Sequence, residues 1–151
     1  MNGITVINEK DEEIGEIKWF VPEYNDNGIK QIKILWVGVS REYQGKGLAS
    51  LLIFKMLSSI KYRGKLEITL DDCSEKSLSK DCLYYKLGFR HASEFSGPDM
   101  SVFIKYDPGE PGYTYYGDTT PEPVNIFKSV TAFKNTITLK AMEPFKFKNV
   151  L

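Results

Sequence analysis

A glycine-rich turn at residues 44–49 (Gln-Gly-Lys-Gly-Leu-Ala) has the composition of an anion-binding loop. Before it, residues 32–39 are β-branched and apolar, which predicts a buried strand. After it, apolar residues recur at helical spacing from Leu48 to Ile60. A strand that enters a helix this way points backbone N–H groups and the positive helix end at one spot, and glycines let a phosphate approach closely. The turn therefore predicts an anion site, with a tight ligand-free turn as the alternative.

Two established phosphate-binding motifs do not fit this turn. A Walker A loop needs four residues between its glycines, and the dinucleotide fingerprint needs a third glycine where Ser50 stands. The pattern Q/R-x-x-G-x-G/A does fit, with Gln44, Gly47 and Ala49, and it resembles the acetyl-CoA loop of the GCN5-related N-acetyltransferase (GNAT) family. Residues 84–89 (Tyr-Tyr-Lys-Leu-Gly-Phe) resemble the Y-x-K-x-G-F signature of the same family. Both motifs occur in the order that the family uses.

The predicted secondary structure agrees with this resemblance. In chain order the predicted elements are a hairpin over 4–7 and 14–20, a strand over 32–39, a helix over 48–60, a strand over 65–70, a helix over 79–87, and strands over 90–95 and 100–106. We expect an α/β (α+β) fold with a GNAT-like mixed, mostly antiparallel twisted sheet flanked by helices. This core would span residues 1–107 and would be short at its N-terminal side compared with the family.

Residues 108–151 are predicted to form a C-terminal extension. Its first part, up to residue 123, is rich in Pro, Gly, Tyr and Thr and is typical of a loop or linker, whereas residues 136–140 alternate like a strand. The extension carries many aromatic and apolar side chains that should not stay in water. We expect it to pack either on the core or on the partner in a homodimer.

Composition limits the classes of partner. The 151 residues carry 20 basic and 20 acidic side chains, so we expect no nucleic-acid footprint. The longest apolar run, 48–57, contains Lys55 and is too short to span a bilayer, and no secretory signal is visible, so we expect no membrane association and a cytoplasmic location. Cys73 and Cys82 lack the spacing of a zinc site, so we expect no metal.

The resemblance implies a role for each residue at a motif position. In the family, the loop binds the pyrophosphate of coenzyme A and the preceding strand binds the pantetheine arm. The implied cofactor-binding residues are Val37, Val39, Gln44, Gly45, Lys46, Gly47, Leu48, Ala49, Ser77 and Tyr84. Tyr84 is also implied as the general acid that protonates the coenzyme A thiolate. Gly38 suits the strand bulge with which the family opens its sheet, and a packing glycine is the alternative.

No general base stands out from the sequence. Residues 32–39 contain no acid. Asp71 and Asp72, at the end of the next strand, could act as a base or cap the following helix, and we take Asp71 as the candidate base, with His91 as an alternative. At pH 7 about one lysine amine in 2,500 is neutral, against about one α-amine in seven. A protein without a strong base would therefore use an amine of low pKa more easily.

The sequence thus predicts an acetyl-CoA-dependent N-acetyltransferase that acts on a primary amine of a small molecule, an aminosugar or a peptide, by direct attack in a ternary complex. A different class of protein, a coenzyme A-binding sensor or scaffold without catalysis, is the first alternative, because no base is apparent. A peptide-binding or structural domain with no affinity for coenzyme A is the second alternative. Binding of acetyl-CoA and release of its thiol separate the three.

Overall fold

The computed structural model describes residues 1–23, 25–26, 28–45, 47–60, 62–71, 83–91, 99–106, 113–115 and 146–150. Their elements are β1 (Asn2–Ile7), β2 (Glu13–Phe20), β3 (Asn25–Asp26), β4 (Ile29–Val39), a 3-10 turn (Arg41–Tyr43), α1 (Leu48–Ser59), β5 (Lys65–Asp71), α2 (Leu83–Lys86), β6 (Arg90–His91), β7 (Asp99–Tyr106), β8 (Tyr113–Tyr115) and β9 (Lys146–Val150). Among the described helices, the longest has 12 residues, and none has the length and apolar character needed to cross a membrane.

The described strands form one mixed sheet in the order β6-β7-β5-β4-β2-β1-β9, with β3 beside β4 and β8 beside β7. Strands β4 and β5 run parallel, and the other described pairs are antiparallel. A parallel pair needs a crossover connection, which α1 supplies between β4 and β5. The predicted fold class, a mostly antiparallel mixed sheet flanked by helices, is therefore confirmed.

The apolar face of α1 packs on one side of the sheet. In β5, Leu66, Ile68 and Leu70 are buried while the residues between them are not, as the period of two in a strand requires. Each fully buried aliphatic side chain contributes about 1.5–3 kcal/mol. The largest fully buried side chains of this core are Ile17, Ile32, Leu48, Leu52, Ile53, Met56, Leu57, Leu66, Ile68 and Phe89. The core therefore fixes α1 against the centre of the sheet.

Strand β4 contains a bulge. Lys18 of β2 pairs with Trp36, whereas the next residue, Trp19, pairs with Ile34. Leu35 is therefore the extra residue on β4, without a register partner in β2. Such an insertion bends the strand and increases its local twist.

The bulge predicted at Gly38 is wrong, because Gly38 pairs in register with Glu16. The parallel ladder between β4 and β5 ends at Lys33 and Thr69, close to the observed bulge, although β4 continues to Val39. No described strand pairs with this edge of β4 beyond that point. The two strands thus part, and the final residues of β4 border a gap in the sheet.

The last described strand, β9, runs antiparallel along β1, with Lys146 opposite Ile7. The Phe147 side chain packs against the core, and the Lys55 Nζ lies 4.8 Å from the centroid of its ring. Residues 146–150 therefore extend the sheet beyond the first hairpin. The strand predicted at 136–140, both cysteines and most of residues 107–145 lie outside the described residues, so the domain boundary at residue 107 stays a prediction.

Candidate functional site

The glycine turn follows directly from the end of β4. A 3-10 turn at residues 41–43 leads into Gln44, whose side-chain amide donates a hydrogen bond of 3.0 Å to the carbonyl oxygen of Val39. Gly45 and Gly47 have φ values of +76° and +85°, a left-handed conformation that a residue with a Cβ adopts only at a cost. The sequence therefore needs glycine at both positions to bring the chain from the strand into α1.

The N-terminus of α1 is suited to an anion. No described side chain caps it, and its first turn contains no acidic residue. The first N–H groups of a helix have no partner inside the helix, and the helix dipole is positive there. A Cβ placed on Gly45 would meet nothing within 4 Å, so the space beside this backbone is open. These features fit a pyrophosphate group bound by main-chain amides.

A cavity of about 340 Å³ lies between this turn, the end of β4 and α2. Its lining residues are Val37, Val39, Tyr43, Gln44, Gly45, Gly47, Leu48, Ala49, Ser50 and Tyr84. The structure thus brings together the strand, loop and helix residues that the sequence predicted, and it places Tyr84 among them. Of the other predicted residues, Lys46 and Ser77 lie outside the described residues, and Asp71 is not part of this lining.

Tyr43 and Ser50 line the cavity but were missed by the sequence reasoning. The Tyr43 hydroxyl accepts a hydrogen bond of 3.2 Å from the Nδ2 of Asn8, whose own Oδ1 accepts hydrogen bonds from the amides of Lys10 and Glu12. Asn8 thereby joins the β1–β2 turn to this cavity. The available signal was position: Tyr43 precedes the glycine motif, and Ser50 is a polar residue in the first turn of an apolar helix.

The Gly-Phe pair after α2 holds Tyr84 in place. Gly88 has a φ of +100°, and the amide of Phe89 donates a hydrogen bond of 2.9 Å to the carbonyl oxygen of Tyr84. The rings of Tyr84 and Phe89 meet edge to face, with centroids 5.9 Å apart. The guanidinium of Arg90 lies over the ring of the neighbouring Tyr85, with its Cζ 3.7 Å from the ring centroid. Tyr84 is thus the tyrosine that faces the cavity, and Tyr85 is held by Arg90.

Asp71 lies at the end of β5, directly opposite Asp99 of β7, and both are exposed. Protonated Asp99 donates a side-chain hydrogen bond to Asp71, and this bond and the negative charge of Asp71 raise the pKa of Asp99, with a smaller contribution from desolvation. Lys33 and His91 act in the opposite direction. Asp99 therefore holds a proton more strongly than an isolated aspartate does.

Residues 2–91 match the family described as "Acetyltransferase (GNAT) domain". No curated protein sequence matches the chain significantly. Among solved structures, a point mutant of the AtaT toxin bound to the C-terminus of the antitoxin AtaR and acetyl-CoA is 13% identical, with a TM-score of 0.45 over 60% of this chain and 59% of the toxin chain. A KacTA–DNA complex is 14% identical, with a TM-score of 0.43 over 61% and 59% of the two chains. Tetrahymena GCN5 is 15% identical, with a TM-score of 0.44 over 67% and 66%.

The aligned region spans about three fifths of the AtaT toxin chains and of the chain in the KacTA–DNA complex. The absence of nucleic acid among the partners stays a prediction from sequence. The cytoplasmic location and the homodimer also stay predictions.

Proposed function

Since the match over residues 2–91 shows that this chain belongs to the GNAT acetyltransferase family, we propose that it transfers an acetyl group from acetyl-CoA to a primary amine. The observation that carries the proposal is the cavity in which the uncapped start of α1, the two left-handed glycines and Tyr84 come together. An anion site and a proton donor in one cavity are what a thioester carried on a nucleotide requires.

The residues around the cavity fit the parts of acetyl-CoA in order. The turn at residues 44–49 and the first amides of α1 would hold the pyrophosphate, because they present N–H donors without acidic neighbours. The edge of β4 at Val37 and Val39 would hold the pantetheine arm through its amides, because no described strand covers that edge. The cofactor supplies a thioester carbon for attack and a thiolate as leaving group.

Tyr84 would serve as the general acid. Tyr84 lines the cavity, and a phenol with the ordinary pKa near 10 is protonated at neutral pH and can donate to the departing sulfur. In the reaction a C–N bond forms at the carbonyl carbon, the C–S bond breaks, and the sulfur takes the phenolic proton. Such a proton transfer typically contributes about 10²–10⁴-fold to the rate.

Asp71 is our candidate for the general base that takes a proton from the ammonium group of the acceptor, so that the neutral amine can attack the thioester. It lies at the end of β5, on the strand that borders the gap beside β4, and its carboxylate is exposed. Asp99 lies directly opposite on β7, so a second carboxyl group is available at the same edge of the sheet to take up the proton. The small-molecule, aminosugar or peptide amine that we expect as acceptor would then lose its proton at this edge of the sheet.

One observation favours a second candidate, a coenzyme A-binding sensor: the described lining of the cavity contains no carboxylate or imidazole. Calorimetric titration with acetyl-CoA, followed by a thiol-release assay against a panel of amines, separates the candidates. Binding with amine-dependent release of thiol is the expected result. Binding without turnover on any amine would favour the sensor, and a failure to bind acetyl-CoA would contradict both.

A further inference from the structure

A second cavity of about 340 Å³ lies between β2 and β4. Its lining residues are Glu13, Ile14, Gly15, Glu16, Trp36, Gly38, Val39 and Ser40. A Cβ on Gly15 would meet Leu48 and Leu52 of α1, so Gly15 faces the helix. The next residue, Glu16, therefore points to the opposite face of the sheet. On that face the cavity is lined by the side chains of Glu16 and Trp36, which have no role in the proposed acetyl transfer.

Trp36 forms the aromatic wall of the cavity. Its side chain is 56% exposed, which is unusual for an indole in the middle of a sheet. The ring lies over Gly38, where an added Cβ would come within 2.7 Å of the indole Nε1. Glycine at position 38 therefore lets the ring lie close to the backbone. An exposed aromatic face held in this way is a surface on which a cation can bind.

The charges around this wall favour a cation over an anion. Glu16 lies directly opposite Gly38 in the ladder, and Glu13 lines the same cavity. The described lining contains no basic residue. Lys18 lies opposite Trp36 in the ladder, with its Nζ 4.0 Å from the Oε2 of Glu16, and both side chains of this ion pair are exposed. Such a long, solvated ion pair contributes little stability, so an incoming ammonium group can replace Lys18 at low cost.

We propose that this cavity binds the alkylammonium group of a small acceptor that carries two amines, between the indole of Trp36 and the carboxylate of Glu16. Its role as an acceptor subsite rests on the proposed acetyl transfer. Val39 lines both cavities, and Trp36 adjoins Val37 of the cofactor cavity along β4. One amine of the acceptor would be anchored here while the other reaches the gap between β4 and β5.

The binding test uses 1,4-diaminobutane as the probe and the uncharged 1,4-butanediol as its control. In ¹H–¹⁵N spectra, the indole resonance of Trp36 should shift on titration with the diamine, while that of the buried Trp19 serves as the internal reference. Glu16→Gln should weaken binding about three- to tenfold, and Lys18→Met should strengthen it, because it removes the competing cation. A Trp36 resonance that does not move, or that moves equally with the diol, would overturn the proposal.

A kinetic test addresses the role of the cavity in catalysis. Glu16→Gln should raise the KM for 1,4-diaminobutane about three- to tenfold more than the KM for butylamine, with kcat for the diamine little changed, since the anchoring contact is the same in ground and transition states. Equal changes for both amines would overturn the acceptor role. If acetyl-CoA does not bind at all, the proposed function fails and the acceptor role fails with it, whereas acetyl-CoA binding without a Trp36 response refutes the cation site alone.

Discussion

Gly45 and Gly28 offer a matched pair for testing the anion site. Their φ values are +76° and +78°, and a Cβ on either would meet nothing within 4 Å. Alanine in this left-handed conformation costs about 1 kcal/mol, which lowers the Tm of a chain of this size by about 2–4 °C. Gly45→Ala and Gly28→Ala should therefore destabilise the free protein by similar amounts, since backbone strain is the same and no clash is added.

Binding of acetyl-CoA should separate the two variants. Gly45 lines the cofactor cavity, whereas Gly28 lies in the turn between β3 and β4. A methyl group at position 45 keeps the phosphate from the backbone, and the loss of one hydrogen bond to a charged group costs about 1.5–3 kcal/mol, or about ten- to a hundredfold in Kd. Isothermal titration of both variants measures this difference. Equal affinities, with equal losses of Tm, would refute the idea that the turn holds the pyrophosphate through its main chain.

Three further changes test other parts of the site. Replacing Tyr84 with Phe should lower kcat about 10²–10⁴-fold, whereas the Kd for acetyl-CoA should change less than about twofold. The same replacement at Tyr85 is the control, because the ring of Tyr85 packs on Arg90. Asp71→Asn removes the negative charge beside Asp99, so the pKa of Asp99 should fall. A carboxyl group whose pKa is raised by folding loses its contribution to stability as the pH rises through that raised pKa. The variant should therefore lose less stability than the wild type when the pH increases through the pKa of Asp99. Carboxyl NMR and thermal melts at several pH values measure both effects, and an unchanged titration of Asp99 would contradict the pairing. Asn8→Ala should destabilise the protein by about 1–3 kcal/mol in urea melts, because two turn amides lose their acceptor, whereas Asn8→Asp keeps an acceptor and should cost less.

The elements with a strong local signal were predicted closely. The helix expected over 48–60 is α1, Leu48–Ser59, and the strand expected over 65–70 is β5, Lys65–Asp71. The short strands β3 and β8 were not predicted, and β8 lies in a stretch expected to be a loop. Two or three residues carry too little periodicity to indicate a strand, and their pairing is decided by the longer strand adjacent in sequence, which is β4 for β3 and β7 for β8.

The lining of the cofactor cavity was partly predictable for the same reason. The motif residues Gln44 and Gly47 could be assigned because their chemistry and spacing are local. Tyr43 depends on the 3-10 turn that brings its ring over the cavity, and its hydroxyl is held by Asn8, 35 residues earlier in the chain. Long-range contacts of this kind leave no periodic trace in a single sequence.

The bulge at Leu35 explains why the two cavities could not be derived from the pattern of β4. In a regular strand, alternate residues face the same side, so Trp36 would follow Ile34 into the core and Val37 and Val39 would face away. The extra residue reverses the alternation: both valines pack against the core and line the cofactor cavity, while Trp36 is exposed on the other face. One insertion thus gives the cofactor its apolar wall and gives the second cavity its indole. Because every residue from 34 to 37 is apolar, hydrophobicity alone could not locate the bulge, and only the pairing with β2 decides which side chains face each cavity.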